Sequence, residues 1–127
     1  MAETFRRRPY SDYPFLIITN HPYRIKLGNL RQTLRVFVHQ KDNLFGDSNP
    51  LDLAGLTITF NLYNSDNVLV ASGPAYVSDV NESEIEYTWS NFDLKEVGVF
   101  YGEFLFKDID DTTFILPEKD RIQIVVF

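Results

Sequence analysis

Apolar and polar residues alternate with a period of two in several parts of the chain. In residues 57–63, Ile58, Phe60 and Leu62 alternate with polar neighbours. Residues 84–89 repeat the pattern with Ile85, Tyr87 and Trp89. Alternation of this kind predicts strands with one face in the core and the other face in water.

Turn-forming residues separate these segments. The tetrapeptide Asn64-Ser65-Asp66-Asn67 tolerates turn dihedrals and predicts a hairpin with the apolar run 68–71. Gly73-Pro74 is expected to break the chain, and residues 40–50 are expected to form a long loop. Short strands with turn signals at a spacing of roughly ten residues, and no long helical period, predict an all-β antiparallel β-sandwich of about seven strands.

The first 22 residues lack a steady period and contain three prolines, which favour extended backbone. They predict an extended N-terminal arm of residues 1–29, ahead of a β-sandwich of residues 30–127. The segment Phe15-Leu16-Ile17-Ile18 is apolar on both sides if extended. The preferred interpretation is that it lies on a neighbouring subunit or adds a strand to that subunit's sheet. The alternative is a further strand of this domain's own core.

Charge is distributed unevenly along the chain. Through Lys41 there are eight basic and two acidic residues, a balance of +6; from Asp42 onward there are four basic and sixteen acidic residues, a balance of −12. A basic segment on an acidic body suggests two environments, or head-to-tail association between copies. Nucleic acid is not expected as a partner, because the acidic body would repel phosphate.

Apolar residues also occupy outward positions in the last strands. Val99, Tyr101 and Leu105 lie opposite the inward-facing phenylalanines of residues 98–106, and Val125 and Phe127 lie outward in the final strand. Because the outer face of an antiparallel sandwich is normally wet, these residues predict contact with another chain. Scattered exposed side chains, or cover by the N-terminal arm, are the alternatives.

Residue types with catalytic or metal-binding chemistry are sparse. There is no cysteine, and neither His21 nor His39 has carboxylates at a metal-site spacing. The acidic group at 108–111 lacks the glycine and glutamate of a calcium loop and predicts a solvated turn. Trp89 alternates with polar residues, which favours core packing over a sugar-stacking platform. We therefore expect no enzyme activity, no cofactor and no metal.

The succession of short motifs from residue 30 to the end resembles an immunoglobulin-like domain of tailed-phage virion proteins. It is similar to the N-terminal domain of the phage baseplate upper protein. The motifs are Leu51-Asp52-Leu53-Ala54-Gly55, Ile58-Thr59-Phe60-Asn61-Leu62-Tyr63, Ser72-Gly73-Pro74-Ala75, Tyr87-Thr88-Trp89, Gly98 with Phe100, Glu103-Phe104, and Phe114-Ile115-Leu116-Pro117.

The resemblance implies a structural component of a tailed-phage virion: a small adaptor or decoration protein made in the host cytoplasm. Its expected partners are other virion proteins of the capsid, tail or baseplate, bound in multiple copies of a symmetric assembly and without a membrane. A carbohydrate-binding adhesion module on the particle surface is the alternative. The residues expected to bind the partner are Arg6, Arg7, Arg8, Phe15, Leu16, Ile17, Ile18, Tyr101, Leu105, Val125 and Phe127.

Overall fold

The regular structure of the chain is β-strand. A computed structural model describes residues 7–9, 15–41, 48–90, 93–117 and 120–127, and these residues contain no helix. The all-β prediction is confirmed, with eleven strands in the described residues in place of about seven. In chain order, β1 to β11 are Arg7–Pro9, Phe15–Asn20, Tyr23–Ile25, Thr33–Lys41, Ser48–Pro50, Thr57–Tyr63, Leu69–Asp79, Glu84–Thr88, Gly98–Lys107, Thr113–Leu116 and Ile122–Val126.

The strands form a curled sheet whose two halves pack on each other as a β-sandwich. Sheet one has the order β1-β2-β4-β8-β7, with β5 also beside β4; sheet two has the order β7-β6-β9-β11-β3, with β10 also beside β9. Strand β7 belongs to both, because residues 69–75 pair with β6 and residues 76–79 pair with β8. The expected chain break at Gly73-Pro74 is therefore wrong, since both residues lie inside β7.

The sheet is mixed, where an antiparallel sandwich was expected. Strand β3 runs parallel to β11, with Tyr23 opposite Ile124 and Ile25 opposite Val126. The other pairings in the described part of the chain are antiparallel. A parallel neighbour requires a long connection, and here most of the domain lies between the two strands.

Residues 15–29 belong to the sandwich, so the expected boundary at residue 30 does not coincide with a break in the sheets. Strand β2 pairs with β4, and Ile17 is fully buried in the core of its own chain. The Thr19 hydroxyl donates a hydrogen bond to the carbonyl of Arg35 at 2.9 Å. Phe15–Asn20 is thus a strand of this domain, and its placement on a neighbouring subunit is corrected. Residues 1–6 and 10–14 lie outside the described residues.

Aromatic packing holds the two halves together. Phe60 of β6 is fully buried, and its ring centroid lies 4.6 Å from Tyr87, 5.7 Å from Trp89 and 5.1 Å from Phe104. A Cβ at Gly102 would lie 2.6 Å from Phe60 Cε1, closer than real contacts allow. Position 102 is therefore a glycine because the Phe60 ring occupies the space that a side chain would need.

Hydrogen bonds satisfy the polar ends of the core aromatics. Trp89 Nε1 donates to the Tyr23 hydroxyl at 3.2 Å, and that hydroxyl donates to the carbonyl of Thr33 at 3.2 Å. The Tyr87 hydroxyl donates to Asp93 Oδ2 at 2.6 Å. Asp93 also accepts bonds from the backbone N–H and the hydroxyl of Ser90. Burial raises the pKa of Tyr87 well above its ordinary value of 10.0, and the hydrogen bond to Asp93 and its negative charge raise this pKa further.

Replacing Tyr87 with Phe should give a stability defect that shrinks at alkaline pH. At neutral pH the lost bond to Asp93 should lower the free energy of unfolding by about 1–2 kcal/mol. The folded-state pKa of Tyr87 is raised, so its contribution is complete below pH 10 and falls as pH rises toward the folded pKa, because the unfolded state ionises first. Urea unfolding of wild type and variant between neutral pH and about pH 11 measures this difference.

Tyr76→Phe is the matched control, because Tyr76 is 64% exposed. It should leave the free energy of unfolding at neutral pH unchanged. A Tyr87→Phe defect that stays constant or grows above pH 10 would contradict the assignment.

Candidate interaction face

The outward side of sheet two brings together the apolar positions noted in the sequence. Tyr101 and Leu105 on β9 point away from the core, because Phe100, Phe104 and Phe106 point into it. Cross-strand register places Tyr101 opposite Gln123, and Leu105 opposite both Thr59 and Ile115. We call this surface the outer face; its main residues are Thr59, Tyr63, Val99, Tyr101, Glu103, Leu105, Ile115, Arg121, Gln123, Val125 and Phe127.

The outer face is apolar over much of its area. Val99, Ile115 and Phe127 are 37%, 45% and 53% exposed. Tyr101 and Leu105 are half-buried between them, as is Val125, which pairs with Val99. The face thus presents neighbouring apolar side chains to solvent, a pattern that marks interaction sites when the patch is contiguous.

An ion pair occupies the centre of this face. The Glu103 side chain is 10% exposed, and Arg121 Nε donates to its Oε1 at 2.8 Å. The Tyr63 hydroxyl donates to Oε2 at 3.2 Å, and the Arg121 guanidinium lies 3.6 Å from the Tyr63 ring centroid. Arg121 Nη1 also donates to Asn67 Oδ1. The two charges therefore neutralise each other, and the guanidinium is held in one orientation.

This environment raises the pKa of the Tyr63 hydroxyl above its ordinary value. Burial raises its pKa, the nearby negative charge of Glu103 and the hydrogen bond to it raise the pKa further, and the positive charge of Arg121 opposes them. The phenol therefore stays protonated and donates to Glu103 at neutral pH.

An open cleft of about 770 Å³ lies beside the ion pair, where the partner of β9 changes from β11 to β10. Tyr101, Ile115 and Pro117 give its wall aromatic and apolar surface, while Asp120 and Gln123 give it hydrogen-bonding groups. The cleft can therefore make both apolar contacts and hydrogen bonds to another molecule.

The remaining predicted partner residues lie elsewhere. Arg7 and Arg8 belong to β1, at the edge of sheet one, and Phe15, Leu16 and Ile18 belong to β2. Ile17 is in the core, and Arg6 lies outside the described residues. The structure therefore unites Tyr101, Leu105, Val125 and Phe127 on one face, whereas the described strands β1 and β2 lie in sheet one.

Sequence reasoning missed the polar centre of the face. Glu103 carried a signal, since it is a lone acid among the outward apolar positions of β9. Arg121 precedes β11, and Tyr63 ends β6, far from both in sequence. Their meeting depends on strand register, which one-dimensional periodicity does not supply.

The described part of the chain offers little metal, membrane or stacking chemistry. It contains no group of three or more histidines and carboxylates that could hold a metal ion. The described residues contain no helix, and therefore no helix long and apolar enough to cross a membrane. Trp89 is 3% exposed, so its ring offers no stacking platform.

Comparison with known proteins does not assign the chain to a family. No model of a protein family matches the chain, and no curated protein matches it. Among solved structures, the crystal structure of CopC from Methylosinus trichosporium OB3b matches with a TM-score of 0.47 and 11% identity, covering 84% of each chain. At this level of likeness no residue role or activity of CopC is carried over to this chain.

The comparisons correct the expected function. No virion protein is among the matches: no family model and no curated protein matches the chain, and the matching solved structure is that of CopC. The expectation of a tailed-phage adaptor or decoration protein is therefore withdrawn, together with its alternative, the carbohydrate-binding adhesion module. The buried position of Trp89 also removes the aromatic platform that the alternative invoked.

Removing Arg121 should destabilise the fold more than removing a surface arginine. Arg121→Ala leaves the nearly buried Glu103 carboxylate without its cation, which should cost about 1–3 kcal/mol of unfolding free energy. Arg35→Ala breaks the Glu86 pair, in which Arg35 is 61% exposed, and should cost under about 0.5 kcal/mol.

Urea unfolding of both variants measures the difference. Repeating it with Glu103→Gln in the background completes a double-mutant cycle for the Arg121 pair. Equal and small effects of the two arginine variants would show that the central ion pair is not a structural element of the face.

Proposed function

We propose that this chain is a non-enzymatic protein-binding domain and that the outer face of sheet two is its contact surface. The observation that carries the proposal is the set of apolar side chains on both sides of the Glu103–Arg121 pair, on a face that an antiparallel sandwich normally exposes to water. Ile115 and Phe127 are 45% and 53% exposed there, next to half-buried Tyr101 and Leu105.

The composition of the face supports a protein partner. Tyrosine, phenylalanine and arginine are enriched in the centres of protein interfaces. Tyr63 and Arg121 are already stacked at 3.6 Å, so little side-chain freedom remains to be lost on binding. Because Glu103 neutralises Arg121 within the chain, a partner that covers the face buries no isolated charge there.

Strand addition at the β7 edge of sheet two, along residues 69–75, is opposed by local features. Tyr63 of β6 pairs with Leu69, and the preceding Leu62 pairs with Ala71, so Val70 of β7 has no partner in β6 and forms a bulge. Pro74 then removes a backbone donor from the same edge strand. Bulges and prolines are the usual protection of sheet edges, so the proposal places the contact on the face and not on this edge.

The immunoglobulin-like class of sandwich is part of the proposal. The antiparallel ladders β4–β8 and β6–β9, and the buried pair Tyr87 and Trp89 between the sheets, support it. The net charge of −6 supports a protein partner over nucleic acid or an anionic membrane.

Introducing charge into the exposed part of the face should abolish binding. Immobilised wild-type protein and an Ile115→Lys, Phe127→Lys double variant would be incubated with an extract of the cells that produce the chain. Captured proteins would then be quantified by mass spectrometry. We expect the double variant to lose the captured proteins at least tenfold, because two ammonium groups would be desolvated on contact.

Tyr76→Lys is the matched control, because Tyr76 is an exposed aromatic residue on the outward side of sheet one. It should retain the captured proteins. The same proteins captured by all three forms, or lost from both variants alike, would contradict the proposed face.

A further inference from the structure

Opposite charges lie at the two ends of the outer face. At one end the turn between β9 and β10 carries Asp108, Asp110 and Asp111. Asp111 pairs with the outward-facing Lys107 at 3.1 Å, and the other two acids leave this end negatively charged. At the other end β3 carries Arg24 and is followed by Lys26, both exposed. Arg24 pairs in register with Val125, and its guanidinium lies over the Phe127 ring at 5.3 Å, so it belongs to the same face.

We propose that the outer face binds a second copy of this chain, with the strands of the two copies antiparallel. Arg24 and Lys26 of each copy then lie opposite Asp110 and Asp111 of the other. The inference rests on the proposed function and names the partner of its contact surface.

Charge selects this arrangement over the other two-fold packing. Two identical faces can pack about an axis along the strands or about an axis across them. An axis along the strands would bring the end with Arg24 to the same end of the other copy, and the end with Asp110 likewise, and like charges brought close together are unfavourable. An axis across the strands pairs the basic end with the acidic end twice, so that both ends are compensated.

The size and centre of the face are compatible with a dimer. Five strands at a spacing of about 4.8 Å, and about seven residues at a rise of about 3.3 Å, give a flat area of roughly 550 Å² before side-chain relief is counted. A standard interface removes about 800 Å² from each partner, a tenth of the 7944 Å² surface of this chain. The paired Glu103 and Arg121 at the centre are neutral together, so the second copy meets no unpaired charge there.

Sedimentation velocity on the full chain at about 50 mM and about 500 mM salt tests the inference, since salt screens contacts between exposed charges. Wild type should be a dimer at low salt and dissociate at least tenfold more readily at high salt. Arg24→Glu with Lys26→Glu should be monomeric, and so should Asp110→Lys with Asp111→Lys. The variant carrying all four changes exchanges the charges of the two ends and should dimerise again.

Glu82→Lys with Glu86→Lys is the control, since both acids belong to the sheet-one side of the chain. It changes the net charge as much as Asp110→Lys with Asp111→Lys does, and it should remain dimeric. Circular dichroism of each variant verifies that it is folded.

Cross-linking gives an independent measurement, because the chain has no cysteine. Mixed Arg24→Cys and Asp110→Cys proteins should form a disulfide-linked dimer under mild oxidation. Neither protein alone should do so, since identical positions lie at opposite ends of an antiparallel dimer.

Three results would overturn the inference: wild type that stays monomeric at low salt, a dimer that survives either charge reversal, or a four-residue variant that remains monomeric. A monomer whose captured proteins are still lost with Ile115→Lys and Phe127→Lys would have a different protein as its partner, and the proposed function would stand. If wild type is a monomer and its captured proteins are unaffected by those changes, both the proposed contact surface and the second copy as its partner are contradicted.

Discussion

The packing of Phe60 between the two halves of the sheet is the contact on which the rest of the structure depends. Its ring touches Tyr87 and Trp89 of sheet one and Phe104 of sheet two, and it fills the space above Gly102. Because protein interiors are packed as densely as organic crystals, these contacts set how closely the two halves approach. They also set which side of β9 faces the core.

The outer face follows from that constraint. A strand has a period of two, so once Phe100, Phe104 and Phe106 point inward, the residues between them must point outward. Tyr101, Glu103 and Leu105 are therefore displayed on the outer face whatever their own preference for water. Glu103 becomes nearly buried there because Tyr63 of β6 and Arg121, the residue before β11, converge on it.

Local patterns predicted which residues of a strand face the core. They did not predict which strands pair with each other, because pairing depends on residues far apart in sequence. The alternation in residues 57–63 and 84–89 correctly placed Phe60, Tyr87 and Trp89 inside, because periodicity is a property of neighbouring residues. Gly73-Pro74 looked like a break, although an edge strand tolerates proline where its missing donor faces away from the ladder.

The N-terminal segment and the polar centre of the face depended on long-range register. Ile17 was apolar in an irregular segment, and only its pairing with β4 shows that it is core. The parallel contact of β3 with β11 joins segments about one hundred residues apart, which periodicity cannot reveal. The same holds for Glu103 and Arg121, whereas the outward apolar set of Tyr101, Leu105, Val125 and Phe127 could be recognised from alternation alone.

The most direct test of the account is the dependence of backbone amide NMR shifts on the concentration of the chain at low salt. If the outer face is a contact surface that meets a second copy, the shifts that move with concentration should be confined to β6, β9, β10, β11 and β3 of sheet two and to the turn between β9 and β10. The amides of β4 and β8 in sheet one should stay constant. Shifts that move in sheet one while β9 and β11 stay constant would contradict the claim that this face is where the protein makes contact.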